Sequence, residues 1–171
     1  MIRTLVFALA LAFAAPAAAQ ELTVVGLDGK SKVLKAADFA GFPRAEVVVP
    51  QDTGTKTYEG PILAYVLRAG GLPVGPRLHG DPLRAFVIVT GADGFQAVFS
   101  LAELDKDYST ATVVLGDTVD GKPLGTKEAP WRLAISGDKK RWRSVYGVTR
   151  IEARLADATP AMAPPAMDRA H

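Results

Sequence analysis

The sequence predicts an α+β domain in which hairpin-forming strands outnumber a few short helices. Three Asp-Gly pairs, at Asp28-Gly29, Asp93-Gly94 and Asp120-Gly121, fall between or beside apolar runs, as tight hairpin turns require. A single stretch, around residues 62–67, has strong helical spacing, and strands and helices do not alternate as parallel βαβ winding demands.

The elements follow in order. Residues 21–27 and 32–34 read as two short strands about the first Asp-Gly turn. Residues 36–39 form a helical turn ended by Gly41 and Pro43, and residues 45–49 form a strand closed by Pro50. Ile62, Leu63, Val66 and Leu67 share one helix face, with Pro61 suited to the first turn and Gly70-Gly71 to the end. Prolines 73, 76 and 82 with Gly75 and Gly80 predict an irregular surface loop over residues 72–82. Strands are expected at 86–89 and 95–99, flanking Asp93-Gly94. Ser100 and Glu103 then have capping-box spacing. Residues 112–115, 131–135 and 145–155 complete the strands, and 156–171, rich in Ala and Pro without periodicity, read as a disordered tail.

The N-terminus carries Arg3, then an apolar run from Leu5 to Ala15 of about 11 residues, too short to span a bilayer and suited to a signal peptide. Pro16 and the small Ala17-Ala18-Ala19 place the expected cleavage before Gln20. The expected organisation is therefore a signal over 1–19, a globular domain over 20–155 and the tail. Export to the periplasm or the medium follows, with no membrane span after cleavage. Roughly 150 residues can bury a core without staples, and with no cysteine the chain has neither disulfides nor thiolate ligands. The formal charge of +2 falls by one when Arg3 leaves, too little to imply nucleic acid or an anionic membrane as partner.

Three ordered blocks carry a family resemblance. The first runs from Tyr58-Glu59-Gly60-Pro61 to Gly70. The second is Ala92-Asp93-Gly94-Phe95-Gln96-Ala97 leading into Ser100-Leu101-Ala102-Glu103-Leu104. The third comprises Asp120-Gly121-Lys122-Pro123-Leu124, Ala129-Pro130-Trp131-Arg132-Leu133-Ala134-Ile135 and a basic stretch entering a last strand through Val148 and Ile151. Over residues 22–155 these resemble the molybdopterin-binding domain of the sulfite oxidase family. The resemblance implies a fold of mixed, layered sheets and a molybdenum held by the pterin dithiolene and a protein cysteine. Where that cysteine belongs, the chain has Pro50-Gln51-Asp52-Thr53-Gly54. Asp52 would be a hard oxygen donor with different consequences for a metal. The signal also lacks the paired arginines that carry folded, cofactor-loaded proteins across a membrane. Such a cargo is threaded unfolded and arrives without cofactor.

Arg132 matches the arginine that grips the pterin phosphate in that family, and its guanidinium fork suits a phosphate or carboxylate. The competing reading is an arginine at a strand start, paired with a neighbouring Asp or lying on Trp131. The run Lys139-Lys140-Arg141-Trp142-Arg143 packs cations around an aromatic, so Arg141, Trp142 and Arg143 form either an anion site with a stacking surface or a solvated loop. Asp93 either orients a ligand or serves its turn, and Tyr58 and Tyr65 are open in the same way. His79 reads as a loop residue, and with only one other histidine, His171, no metal or nucleophile motif assembles. Glu103 with Asp105 or Asp107 reads as a solvent-facing helix end.

The expectation is a domain of this fold that has lost redox catalysis and acts as a ligand-binding or protein-interaction module, a sensory one among the options, without a cofactor. Arg132, Arg141, Trp142, Arg143 and Asp93 would line a pocket for a small anionic or aromatic ligand, or dock an envelope protein. Two alternatives stand beside it: a molybdopterin-dependent oxidoreductase holding its metal without cysteine, and a purely structural envelope partner.

Overall fold

The computed structural model describes residues 20–157. The first strand, β1 (Glu21–Val25), turns through Asp28 and Gly29 into β2 (Ser31–Lys35). β3 (Arg44–Pro50) and β4 (Thr55–Pro61) form a second hairpin, and α1 (Leu63–Ala69) follows at once. β5 (Ala85–Gly91) and β6 (Gln96–Ser100) make a third hairpin about Asp93-Gly94. Then come β7 (Val113–Gly116), the short β8 (Thr118–Val119) and β9 (Lys122–Pro123) about Asp120-Gly121, β10 (Arg132–Ile135) and β11 (Val148–Leu155).

The largest sheet has the order β2-β1-β11-β5-β6. Its register places Val24, Ile151, Val89 and Ala97 side by side across four strands, and all four are buried. Alternation along β5, with Ala85, Val87 and Val89 inward, is the period-two pattern of a sheet covered on one face. A slip of one residue would turn that whole row to solvent, so burial fixes the register. β1 and β11 pair in parallel, and β11 lies between the first two strands and the β5–β6 hairpin.

The second sheet has the order β3-β4-β8-β9, and between the two sheets lies the antiparallel pair β7–β10. Every residue of β7 and β10 is buried, because this pair is covered on both faces. Val113, Leu115, Leu133 and Ile135 join the main core, whereas Val114 and Ala134 pack with Val47, Val49 and Tyr58 of the outer hairpin. α1 adds Leu63, Val66 and Leu67 to the main core.

Several elements differ from expectation for physical reasons. β4 was not foreseen, and Pro61 ends it instead of opening a helix, so that α1 starts at Leu63 behind Ile62. The last strand begins at Val148, after Gly147 adopts a positive φ of 55°. The loop over 72–82 contains two 3-10 turns and buries Leu72, Val74 and Leu78, so it covers the core. His79 on it is exposed, as expected. Ser100 and Glu103 make the expected capping contacts, the Ser100 N–H donating to the Glu103 carboxylate at 3.0 Å. Asp105, expected on a solvent-facing helix end, is instead buried and accepts hydrogen bonds from the backbone N–H groups of Gly75 and Asp107. It ties the 72–82 loop to the segment that follows β6. No helix among the described residues is long and apolar enough to cross a membrane. The signal segment, 1–19, and residues 158–171 of the tail lie outside the described residues.

Candidate functional site

The connection from β10 to β11 has to satisfy four cations within five residues, 139–143, and it does so by spreading them. A 3-10 turn spans Arg141–Arg143. With three residues per turn, side chains two apart point about 120° away from each other, and Arg141 and Arg143 face different surroundings. Arg143 lies over the Phe99 ring at 5.0 Å and pairs with Asp138 at 2.9 Å and Glu103 at 3.6 Å. The Asp138 hydrogen bond holds its guanidinium above the usual arginine range. It lines a cleft of about 370 Å³ beside Ser109, Thr110 and Ser136, away from the other predicted site residues.

Arg141 turns toward the β3–β4 loop. Its Nη2 lies 2.7 Å from Asp52 Oδ2, and its Nη1 donates to Gln51 Oε1 at 3.4 Å. Trp142 is 76% exposed, the most exposed large apolar side chain among the described residues. Its indole and Arg141 wall a cleft of about 420 Å³ completed by Asp93, Phe95, Ser144 and Tyr146. Asp93 reaches it from the β5–β6 turn, where Gly94 takes a φ of 83° and the Phe95 N–H donates to the Asp93 carboxylate at 3.0 Å. On the other side of the Arg141–Trp142 wall a second cleft, about 300 Å³, is lined by Pro50, Gln51, Asp52, Lys139 and Lys140. Asp93, Arg141 and Trp142 are therefore brought together, and Arg143 is not.

Arg132 lies beneath this site and does not line either cleft. It is 0% exposed. Its guanidinium is sandwiched between Tyr58 and Tyr146, 4.3 and 4.2 Å from the two ring centroids. Nη1 donates to the Glu128 carboxylate and to the Tyr58 hydroxyl, Nε donates to Ser144 Oγ at 2.9 Å, and Nη2 has no hydrogen-bond partner among the described residues. The partner is Glu128, four residues before it, in place of the expected Asp, and the stacking rings are two tyrosines in place of Trp131. Trp131 instead packs edge-on against Phe39 in the main core. Through Ser144 and Tyr146, which also line the larger cleft, Arg132 fixes the floor of the site.

Tyr58, Glu128, Phe95 and Tyr146 complete the arrangement. Tyr58 donates to Glu128 Oε1 at 2.9 Å. Burial pushes its phenol well above the ordinary tyrosine value, against the opposing charge of Arg132. In a spectrophotometric pH titration, Tyr58 therefore ionises above the usual value of about 10, and Tyr58→Phe removes that late component. The neutral phenol favours the folded state, so this contribution is present below the unfolded value and lost as pH rises through the folded one. A signal for Phe95 and Tyr146 existed in the sequence, since Phe95 stands two residues after Asp93 and Tyr146 three after Arg143. Glu128 had only its spacing from Arg132.

No family model matches the chain, and no curated protein does. Among solved structures the chain is similar to the sulfane dehydrogenase SoxCD from Paracoccus pantotrophus, at 20% identity with a TM-score of 0.59. The similarity covers 78% of this chain but 38% of that one. At this identity the likeness is one of fold. It bears out the α+β architecture of mixed, layered sheets with few short helices, a fold this chain shares with that structure.

The thiolate-held molybdenum that the resemblance implies does not fit the residues present. The chain has no cysteine, Asp52 in the corresponding loop is a hard donor already paired with Arg141, and of the Arg132 donors Nε and Nη1 are engaged by Ser144, Tyr58 and Glu128 while Nη2 is buried beneath both clefts.

Proposed function

We propose that this chain is an exported, non-redox ligand-binding module whose cleft at Arg141 and Trp142 takes a small aromatic or anionic molecule. The observation that carries the reading is the juxtaposition of an exposed indole, two further aromatic rings, Phe95 and Tyr146, and one guanidinium around a space of about 420 Å³. Its size falls in the range of small-molecule sites, and its walls combine apolar area with a few polar groups, as such sites do. Stacking on Trp142 supplies affinity, and Arg141 supplies orientation.

The test uses the two indole N–H resonances of the folded protein, one from Trp142 and one from the buried Trp131. Adding the neutral planar compound 2-naphthamide shifts the Trp142 resonance and leaves that of Trp131 in place. Trp142→Ala weakens binding about tenfold, the scale of a lost aromatic contact, as read from ligand line broadening. A Trp142 resonance that stays fixed at millimolar 2-naphthamide contradicts the reading.

A second reading is favoured by the dehydrogenase named in the fold likeness: an oxidoreductase with molybdopterin, its metal held by an oxygen ligand at Asp52. Under it, Asp52→Asn abolishes turnover. Under the binding reading the same change leaves the site intact.

A further inference from the structure

We infer that Asp52 is a built-in competitor for the anion position on Arg141, so that the cleft is gated by its own carboxylate and selects planar aromatic monocarboxylates. This rests on the ligand-binding reading above and names the ligand class and its regulation.

The Asp52 side chain is 85% exposed, and among the described residues its one hydrogen-bond partner is Arg141. Among the described residues nothing else holds the carboxylate in place beyond the loop that carries it. An ion pair so exposed is weak in water, and a small anion can displace it. Arg141 is the group where displacement matters, because it lines both clefts and therefore stands between them. Asp52 and Gln51 together cover its terminal fork, Nη2 and Nη1. A ligand carboxylate is the group that can take both positions at once, since it matches the fork with two parallel hydrogen bonds.

The surrounding charges narrow the ligand further. Asp93 faces the larger cleft and disfavours a second negative charge there, while Lys139 and Lys140 face the smaller one. Neither lysine forms an ion pair among the described residues, so both attract anions to the rim without fixing their orientation. Trp142, Phe95 and Tyr146 supply flat apolar area for the body of the ligand. One carboxylate attached to a planar ring meets each of these conditions.

The experiment titrates the folded protein with 2-naphthoate and with neutral 2-naphthamide, following the Trp142 indole N–H in the native chain, in Asp52→Asn and in Arg141→Gln. The Trp131 signal reports that each variant remains folded. The expected result is that Asp52→Asn tightens 2-naphthoate roughly threefold, the scale on which an exposed pair shifts an equilibrium, with 2-naphthamide unchanged. Arg141→Gln removes the preference for 2-naphthoate over 2-naphthamide. Equal or weaker 2-naphthoate binding in Asp52→Asn overturns the gate, while 2-naphthamide binding at Trp142 leaves the cleft reading standing. If neither compound moves Trp142 in the native chain, both inferences fall.

Discussion

Replacing Arg132 by alanine lowers the stability of the domain by about 3–5 kcal/mol, the cost of breaking a buried ion pair by removing one partner. The guanidinium is fully buried, and three groups depend on it: the Glu128 carboxylate, the Tyr58 hydroxyl and Ser144 Oγ. Without it the Glu128 carboxylate keeps only the Tyr58 hydroxyl as a donor among the described residues, and the space between the Tyr58 and Tyr146 rings opens. The loss is read as a lower urea midpoint at unchanged slope. Combining Arg132→Met with Glu128→Gln recovers much of it, because the pair is then replaced by neutral groups of similar volume. A fall below about 1 kcal/mol in Arg132→Ala, the range of a surface pair, would show that water reaches this network and that the buried pair is not the floor of the site.

Gly60→Ala is expected to cost about 3 kcal/mol or more, at the upper end for overpacking. Gly60 is the point at which β4 crosses β7. A Cβ there would stand 2.6 Å from Gly116 Cα and 2.7 Å from the Leu115 carbonyl carbon, and closer still to the Leu115 oxygen. The obstruction is backbone, which cannot rotate away as a side chain can. β7 is also covered on both faces, so separating the strands disturbs the main core and the outer cluster together. Gly125→Ala is the matched control. Nothing lies within 4 Å of its added Cβ, and its backbone is not in the left-handed region. Thermal melts that place both variants within a degree of each other would show that the crossing yields, and that the close approach of β4 to β7 is not required.

Local chemistry made much of this fold legible. Asp28-Gly29, Asp93-Gly94 and Asp120-Gly121 are turn signals that act within four residues, and each sits in a hairpin of the structure. β4 escaped because its sequence, Thr-Lys-Thr-Tyr-Glu-Gly-Pro, contains Lys, Glu, Gly and Pro, which are depleted in strands, and has Tyr58 as its one large apolar side chain. Its placement comes from pairing along the whole of β3 and from the burial of Tyr58. The parallel pairing of β1 with β11 joins opposite ends of the domain, and no local pattern announces such a partner.

The candidate site was legible to the same extent. Asp93 could be placed because its turn is local, and Arg141 and Trp142 because they are consecutive on an exposed segment. Arg132 reads in the sequence as a strand-start cation for an anion or for a neighbouring Asp; in the structure its carboxylate partner is Glu128. Those surroundings are assembled from Tyr58, Glu128, Ser144 and Tyr146, which lie on β4 and on the segments leading into and out of β10. The separation of Arg143 from Arg141 depends on the tight turn between them, a conformation that a run of cations does not specify.

The position of β11 at the middle of the large sheet also sets an order of assembly. A chain delivered N-terminus first presents the β1–β2 hairpin early and the β5–β6 hairpin later, yet neither touches the other within the sheet until residues 148–155 arrive between them. Until then two strands carry unpaired backbone edges, the state in which chains most readily join their neighbours. Closure of the sheet therefore waits for β11, and without residues 148–155 the strand order leaves two separate hairpins where the complete chain has a continuous sheet.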